Sequence, residues 1–488
     1  MMMLKNHTGN SVDAILLTSV KLITTVLSLI TIRIISDKFT YSDYGTYNQA
    51  LMIASTVASI IILGFTDATN YFFNKFSSDE STRREYISTI VIFQIILGTL
   101  TGIAILLLKG PIVIFMDNDA LGSIIKWVAF MPLVSNLISI QQILFVSLGK
   151  SRLIAARNLF VSFFRLSVIL LSVYVTKNIV TILIASFLCD IIQVLYFIRI
   201  LSKDEVKISI KSYNNSLLRS ILSFALPMSM FLITNSLMRD CDKYIVSYYT
   251  DPETFAVYSN ASRILPFSIV IDSFTTVLLP IITKCFHEGR ILNVSYIYKN
   301  YLSLSAVVSW ILISGALVCA NDLIIILYGS KYSIGLSIFI IYLLVSLARF
   351  ANLSLIFSAS GNTKIIMKIS LLSLLANIVL SLVLFHYIGL VGCAAATLII
   401  TIIVDIFYLY KGSGIIKSSI FQLFEGKFLI VLILQSFVLG IIIFAIKKIL
   451  VDVGPFMRFS TTYGIYILAL SLLNRKKILQ YFTALNKV

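Results

Sequence analysis

Tyr44-Gly45-Thr46-Tyr47 and Phe255-Ala256-Val257-Tyr258 stand 211 residues apart and share one pattern: aromatic, small, β-branched, tyrosine. A second pair stands 212 residues apart, Phe145-Val146-Ser147-Leu148-Gly149-Lys150-Ser151-Arg152-Leu153-Ile154 and Phe357-Ser358-Ala359-Ser360-Gly361-Asn362-Thr363-Lys364-Ile365-Ile366. Two matches at nearly one offset point to two homologous halves. In a membrane chain, such halves are typical of transporters whose site lies between them.

The rest of the chain reads as membrane protein. Hydrophobic residues make up 58% and charged residues 12%, where a soluble domain carries about 25% charge. Apolar runs long enough to cross a hydrocarbon core of about 30 Å fall at 12–35, 45–66, 86–108, 121–147, 153–176, 178–200, 217–248, 254–283, 299–319, 333–359, 364–387, 389–411, 427–450 and 457–474. Lipid offers no water to satisfy backbone polar groups, so these runs are helices. The fold class expected is an all-α polytopic membrane protein of about 14 helices.

The repeat aligns helices 1–6 with helices 7–12. An even number of spans per half gives both halves one orientation, hence two parallel-repeat six-helix bundles about an axis along the membrane normal. Helices 13 and 14 lie outside the repeat as an appended C-terminal pair. The expected divisions are an N-terminal lobe at 1–203, a polar cytoplasmic linker at 204–216, a C-terminal lobe at 217–411, and the appended helices with a cytoplasmic tail at 412–488.

A net charge of +17 suggests nucleic acid at first sight. The placement of the charge says otherwise. With the N-terminus inside, alternate loops hold about 24 of the 39 Lys and Arg and the opposite loops about nine, as the positive-inside rule requires. Both termini are then cytoplasmic. The polar head Lys5 to Asn10 runs into a span without a small-residue cleavage site, so helix 1 is expected to be retained. The five cysteines show neither metal-ligand spacing nor a disulfide framework.

Charges within the spans carry the functional signal, because a charge at mid-bilayer costs several kcal/mol unless it meets a partner or water. The basic ones are Lys21, Arg33, Arg165, Arg263 and Arg349. The acidic ones are Asp67, Asp190, Asp272 and Asp405. Embedded cations exceed embedded acids, which favours a cationic cavity for an anion. Arginine suits phosphate because its planar fork gives bidentate hydrogen bonds. The competing reading is that each cation pairs with a carboxylate and pins two helices. The aspartates are candidates to carry a coupling proton or sodium ion, or to be structural partners. Arg239, Asp240, Asp242 and Lys243 read as a local ion-pair cluster or an outer gate. Pro132, Pro227, Pro266 and Pro280 are expected to kink spans 4, 7 and 8.

Arg33-Ile34-Ile35-Ser36-Asp37-Lys38-Phe39-Thr40-Tyr41-Ser42-Asp43-Tyr44-Gly45-Thr46-Tyr47 resembles the helix 1–2 junction of bacterial polysaccharide flippases, members of the multidrug/oligosaccharidyl-lipid/polysaccharide exporter superfamily. Leu63-Gly64-Phe65-Thr66-Asp67-Ala68, Phe224-Ala225-Leu226-Pro227, Asp242-Lys243 with Val257-Tyr258-Ser259-Asn260-Ala261-Ser262-Arg263, Leu327-Tyr328-Gly329-Ser330-Lys331-Tyr332 and Gly389-Leu390-Val391-Gly392-Cys393-Ala394-Ala395 resemble further elements of that family. The resemblance departs at Ala256, where the family usually has Gly, and in a count of fourteen helices where O-antigen flippases often have twelve.

The resemblance implies a flippase, not an enzyme, of the bacterial inner membrane. It would move a polyprenyl-diphosphate-linked oligosaccharide, an O-antigen or similar surface-glycan unit, by alternating access. The diphosphate would sit on Arg33, Arg165, Arg263, Arg349 and Lys21, with the prenyl tail in lipid along helices 13 and 14. Asp67, Asp190, Asp272 or Asp405 would couple a proton or sodium gradient, with no other cofactor. Partners would be the lipid-linked glycan, membrane lipids and other polysaccharide-assembly proteins. One rival is a multidrug extruder of the same superfamily, whose cavity should be acidic. The other is a membrane polymerase or glycosyltransferase, which needs a long outer loop. Every outer loop here is short, and only His7, His287 and His386 are present.

Overall fold

A computed structural model describes residues 2–203 and 208–486, with side chains from 16 to 485 except 202, 203, 228, 231, 268 and 270–273. The described residues contain helices and no strand. The chain divides into two compact units, Met1–Ala256 and Val257–Val488.

The first unit holds α1 (Met2–Lys38), α2 (Tyr41–Ile61), α3 (Phe65–Lys75), α4 (Glu80–Leu107), α5 (Lys109–Phe115), α6 (Leu121–Val128), α7 (Met131–Ser147), α8 (Ser151–Val175), α9 (Ile179–Lys203), α10 (Asn215–Tyr249) and the start of α11 (Pro252–Ala261). The second holds α12 (Ile269–His287), α13 (Ile291–Val318), α14 (Ala320–Tyr328), α15 (Leu336–Ala348), α16 (Leu355–Ala359), α17 (Thr363–Ile388), α18 (Leu390–Ile415), α19 (Ile420–Leu423), α20 (Gly426–Ile449), α21 (Pro455–Leu473) and α22 (Arg475–Asn486).

The repeat is visible in the helix ends. At offset 211, α2 starts at Tyr41 and α11 at Pro252. At offset 212, α8 starts at Ser151 and α17 at Thr363, each after a left-handed glycine, Gly149 (φ 69°) and Gly361 (φ 77°). Both halves need a residue without a side chain at that turn, because a β-carbon crowds the backbone when φ is positive. The compact units nevertheless part at 256, beyond the linker, because α10 packs on α2, α3 and α4. The linker end is stitched to the start of α4 as well. Ser209 N–H donates to Ser88 Oγ at 3.2 Å, and Asn214 N–H to Thr89 Oγ1 at 3.0 Å.

Twelve helices among the described residues are long and apolar enough to cross a membrane, and α10, bent by 48° after Pro227, adds a thirteenth. The expected eighth span, 254–283, is split. α11 stops at Ala261, and a short 3-10 turn at Pro266–Ser268 precedes α12. Proline explains both features, because its missing N–H and its ring interrupt the helical ladder. Pro132 likewise opens α7 after the turn that closes α6.

In the first unit, Phe65, Phe72, Tyr86, Ile90, Leu144 and Phe145 belong to one buried cluster. Phe72 and Tyr86 stack with ring centroids 4.3 Å apart. This aromatic core fixes α3, α4 and α7 to one another.

Candidate functional site

The embedded charges are taken unit by unit. On α1, Lys21 is exposed. At about 100° per residue, Thr18, Lys21, Thr25 and Ser28 form one polar stripe. Leu22, Ile23, Val26 and Ile30, all exposed apolar residues, form another stripe about 130° away. Lys21 therefore stands on the polar stripe of α1, apart from its exposed apolar one. Arg33, three turns on, lies 3.6 Å from Asp37, and its Nη1 is buried without a hydrogen-bond partner.

Arg165 on α8 makes a close ion pair with Asp190 on α9. The pair neutralises both groups and ties the two helices, which is the pinning alternative raised above. Asp67 occupies the first turn of α3, after a break made by Leu63 and Gly64 with positive φ (46° and 70°). A carboxylate there is favoured by the helix dipole. On α10, Asp240 accepts from Lys243 Nζ at 2.7 Å and from Arg239 Nε at 3.3 Å. That group is a local ion-pair cluster.

In the second unit the chemistry gathers at a broken helix. α15 ends at Ala348, α16 starts at Leu355, and Arg349–Ser354 lie between them outside any helix. Irregular backbone at membrane depth survives only when buried in protein or beside a polar cavity. Here α13 supplies the missing partners. The Tyr298 hydroxyl donates to Leu353 O at 3.3 Å, and Ser309 Oγ to Phe350 O at 3.2 Å. The Tyr301 hydroxyl accepts from Asn352 N–H at 2.8 Å and bonds Thr275 Oγ1 of α12 at 3.0 Å.

Arg349 caps the C-terminal end of α15, where the helix dipole favours a cation. Its charge acts on Asp405 of α18, whose Oδ2 is buried without a hydrogen-bond partner. Arg263 stands in the other break, between α11 and α12, with its Nε buried and unpartnered. The Asp272 side chain lies outside the described residues.

The structure thus pairs Arg165 with Asp190, and packs α15, which Arg349 ends, against α18, which carries Asp405. It also adds residues that embedded charge did not reveal: Thr275, Tyr298, Tyr301 and Asn352. The Tyr298-x-x-Tyr301 spacing on one face of α13 was the available signal.

A separate buried triad anchors the appended helices. Asp322 of α14, 1% exposed, forms an ion pair with Lys447 Nζ of α20 at 2.7 Å and accepts from Arg458 Nη2 of α21 at 2.5 Å. Beside it, α13, α20 and α21 line an open pocket of about 430 Å³. Its apolar lining includes Trp310, Leu317, Ile433, Phe437, Gly440 and Phe444. At the opposite end of these helices, Glu425 accepts from Lys477 Nζ of α22 at 2.6 Å.

A many-spanned helical repeat with embedded cations defines the class: a polytopic membrane protein with a transporter fold. Residues 18–335 match the family described as Polysaccharide biosynthesis protein, and the chain belongs to that family. A stretch of 169 residues is 26% identical to the probable lipid II flippase MurJ of Rickettsia prowazekii (strain Madrid E), covering 31% of this chain. The chain spans about a third (32%) of the length of that relative. Among solved structures, lipid II flippase MurJ in an inward closed conformation matches with a TM-score of 0.73 at 17% identity, over 95% of this chain and 100% of that one. An inward-facing multidrug resistance MATE family transporter of the MOP superfamily matches with a TM-score of 0.67 at 14% identity, over 83% and 99%. These likenesses show the fold.

Proposed function

We propose that the chain is a flippase for a polyprenyl-diphosphate-linked oligosaccharide, the repeat unit of an O-antigen or similar surface glycan, working by alternating access. The family match over 18–335 carries this reading. The relative named as a lipid II flippase supports it.

The residues suit the cargo. Each unit offers cations to a diphosphate, Lys21 and Arg33 on the first, Arg263 and Arg349 on the second. Unpartnered guanidinium nitrogens on Arg33 and Arg263 are free to donate to phosphate oxygens. Hydroxyl and amide groups around the break at 349–354 suit a sugar. The apolar cavity along α20 and α21 suits a prenyl tail. Arg165 contributes differently, since Asp190 holds it. Among the candidates Asp67, Asp190, Asp272 and Asp405, we assign Asp405 to proton or sodium coupling, because its buried Oδ2 has no hydrogen-bond partner. The chain would sit in the bacterial inner membrane with both termini cytoplasmic, as its loop charges require.

The test is rescue of surface glycan in cells lacking a known flippase, with protein level followed in parallel. Wild type should restore glycan, and Arg33→Ala, Arg263→Ala and Arg349→Ala should not. Full rescue by all three would sink the cationic site. Drug resistance without glycan rescue would sink the flippase reading.

A further inference from the structure

The first unit carries a contact at the repeat motif itself. A β-carbon on Gly45 would overlap the carbonyl oxygen of Pro252 and stand 2.6 Å from its carbonyl carbon. The obstacle is backbone, which cannot swing aside as a side chain would. The two helix starts that meet here are repeat equivalents, and each is capped. Thr40 Oγ1 accepts from Asp43 N–H at 3.1 Å, and Asp251 Oδ1 accepts from Thr254 N–H at 2.7 Å. Caps hold both starts in register, so the approach is set by rigid ends.

One turn further on, a buried neutral network crosses the same end of the unit. Asn118 Nδ2 donates to Thr46 Oγ1 at 2.8 Å and to Gln49 Oε1 at 2.5 Å. Gln49 Nε2 donates to Met116 O at 3.0 Å and to Ser247 Oγ at 2.8 Å. The network joins α2, the turn after α5, and α10. It contains no ion pair, and neutral hydrogen bonds exchange with water at small net cost. The junctions at 39–40, 116–120 and 250–251 follow odd-numbered spans, so all lie at one membrane face, the outer one by loop charge.

We propose that Gly45 is a positioning residue for transport. Its missing side chain lets the outer end of the first unit close, and the Gln49–Asn118–Ser247 network holds it closed until water replaces those bonds. The inference rests on the transport reading, but its first readout needs no substrate.

Val246, beside the network on α10 but not part of it, is fully buried, so Val246→Cys is the reporter. The five native cysteines are all buried and set the background. In spheroplasts, an impermeant maleimide should leave Val246→Cys nearly unlabelled. Adding Gly45→Ala should raise labelling at least tenfold and cut glycan transport at least fivefold. Ala256→Gly, at the repeat-equivalent position, should change neither. Parental labelling together with parental transport in Gly45→Ala would overturn the proposal. A second test keeps Gly45. Phe115→Cys with Tyr248→Cys, whose native rings stand 5.2 Å apart between α5 and α10 outside the network, bridged by a short bis-thiosulfonate, should stop transport, and reduction should restore it. Full transport by the bridged protein would also overturn the proposal. If wild type moves no glycan, the labelling arm still reports closure, so the two failures remain distinct.

Discussion

The two halves treat one helix in opposite ways. In the first, α7 runs unbroken from Met131 to Ser147. Its buried amides reach outward, Asn136 to Ala58 O and Gln141 to Val194 O, each at 3.1 Å. In the second, the equivalent stretch stops at Ala348 and resumes at Leu355. There the flow reverses, and Tyr298, Tyr301 and Ser309 reach inward to an opened backbone. An intact helix satisfies its own backbone and can lend side chains to its neighbours. A broken one must be satisfied by them. The charges follow the same division. Arg165 in the first half is spent on Asp190, whereas Arg349 at the break leaves a buried oxygen of Asp405 without a hydrogen bond. The second half is therefore the one whose backbone depends on its neighbours.

The largest effect should come from removing what braces that half. Asp322→Ala leaves Lys447 and Arg458 without their buried partner, a loss of about 3–5 kcal/mol. Thermal unfolding in detergent should show it as a large fall in Tm, while Arg165→Leu with Asp190→Leu, a neutral exchange in the first half, should stay close to wild type. Next, Arg349→Ala should cut glycan transport tenfold or more in well-expressed protein, and the Arg165–Asp190 double variant should keep most of it. The reverse order would break the contrast between the two halves.

A smaller effect separates the two ways of serving a helix. Tyr301→Phe removes the acceptor for Asn352 N–H and should cost about 1–3 kcal/mol. Gln141→Leu spares the backbone of its own helix and leaves Val194 O its other bonds, so its cost should be lower. Equal falls in Tm would remove the distinction.

The smallest is a pH effect where α22 meets the start of α20 in the second unit. The Lys477 hydrogen bond holds the Glu425 carboxyl below its ordinary 4.5. A depressed carboxyl stabilises the folded state above that ordinary value and loses the contribution as pH falls through the lower folded value. Docking of α22, followed by limited proteolysis of the C-terminus, should therefore weaken below about pH 4.5, and Glu425→Gln should abolish the dependence.

Legibility varied by region for physical reasons. The spans were readable because each is a continuous apolar run, and prolines marked the breaks at 129–130, 227 and 262–268. The break at 349–354 was not readable, because no proline marks it and Arg349-Phe350-Ala351-Asn352-Leu353-Ser354 contains nothing that forbids a helix. The partners of Arg165 and Asp322 were equally hidden, being 25 and more than 100 residues away on other helices.

By itself, the sequence determined the membrane class, the twofold repeat, the family and which charges are embedded. The class and the embedded charges follow from composition and apolar runs, and the repeat and the family resemblance from short motifs, all of which the chain carries residue by residue. Only the tertiary structure decided which charges are neutralised, where α10 packs, how the break is satisfied and why position 45 has no side chain. Each of these depends on groups far apart in sequence arriving within a hydrogen bond or a van der Waals radius of one another.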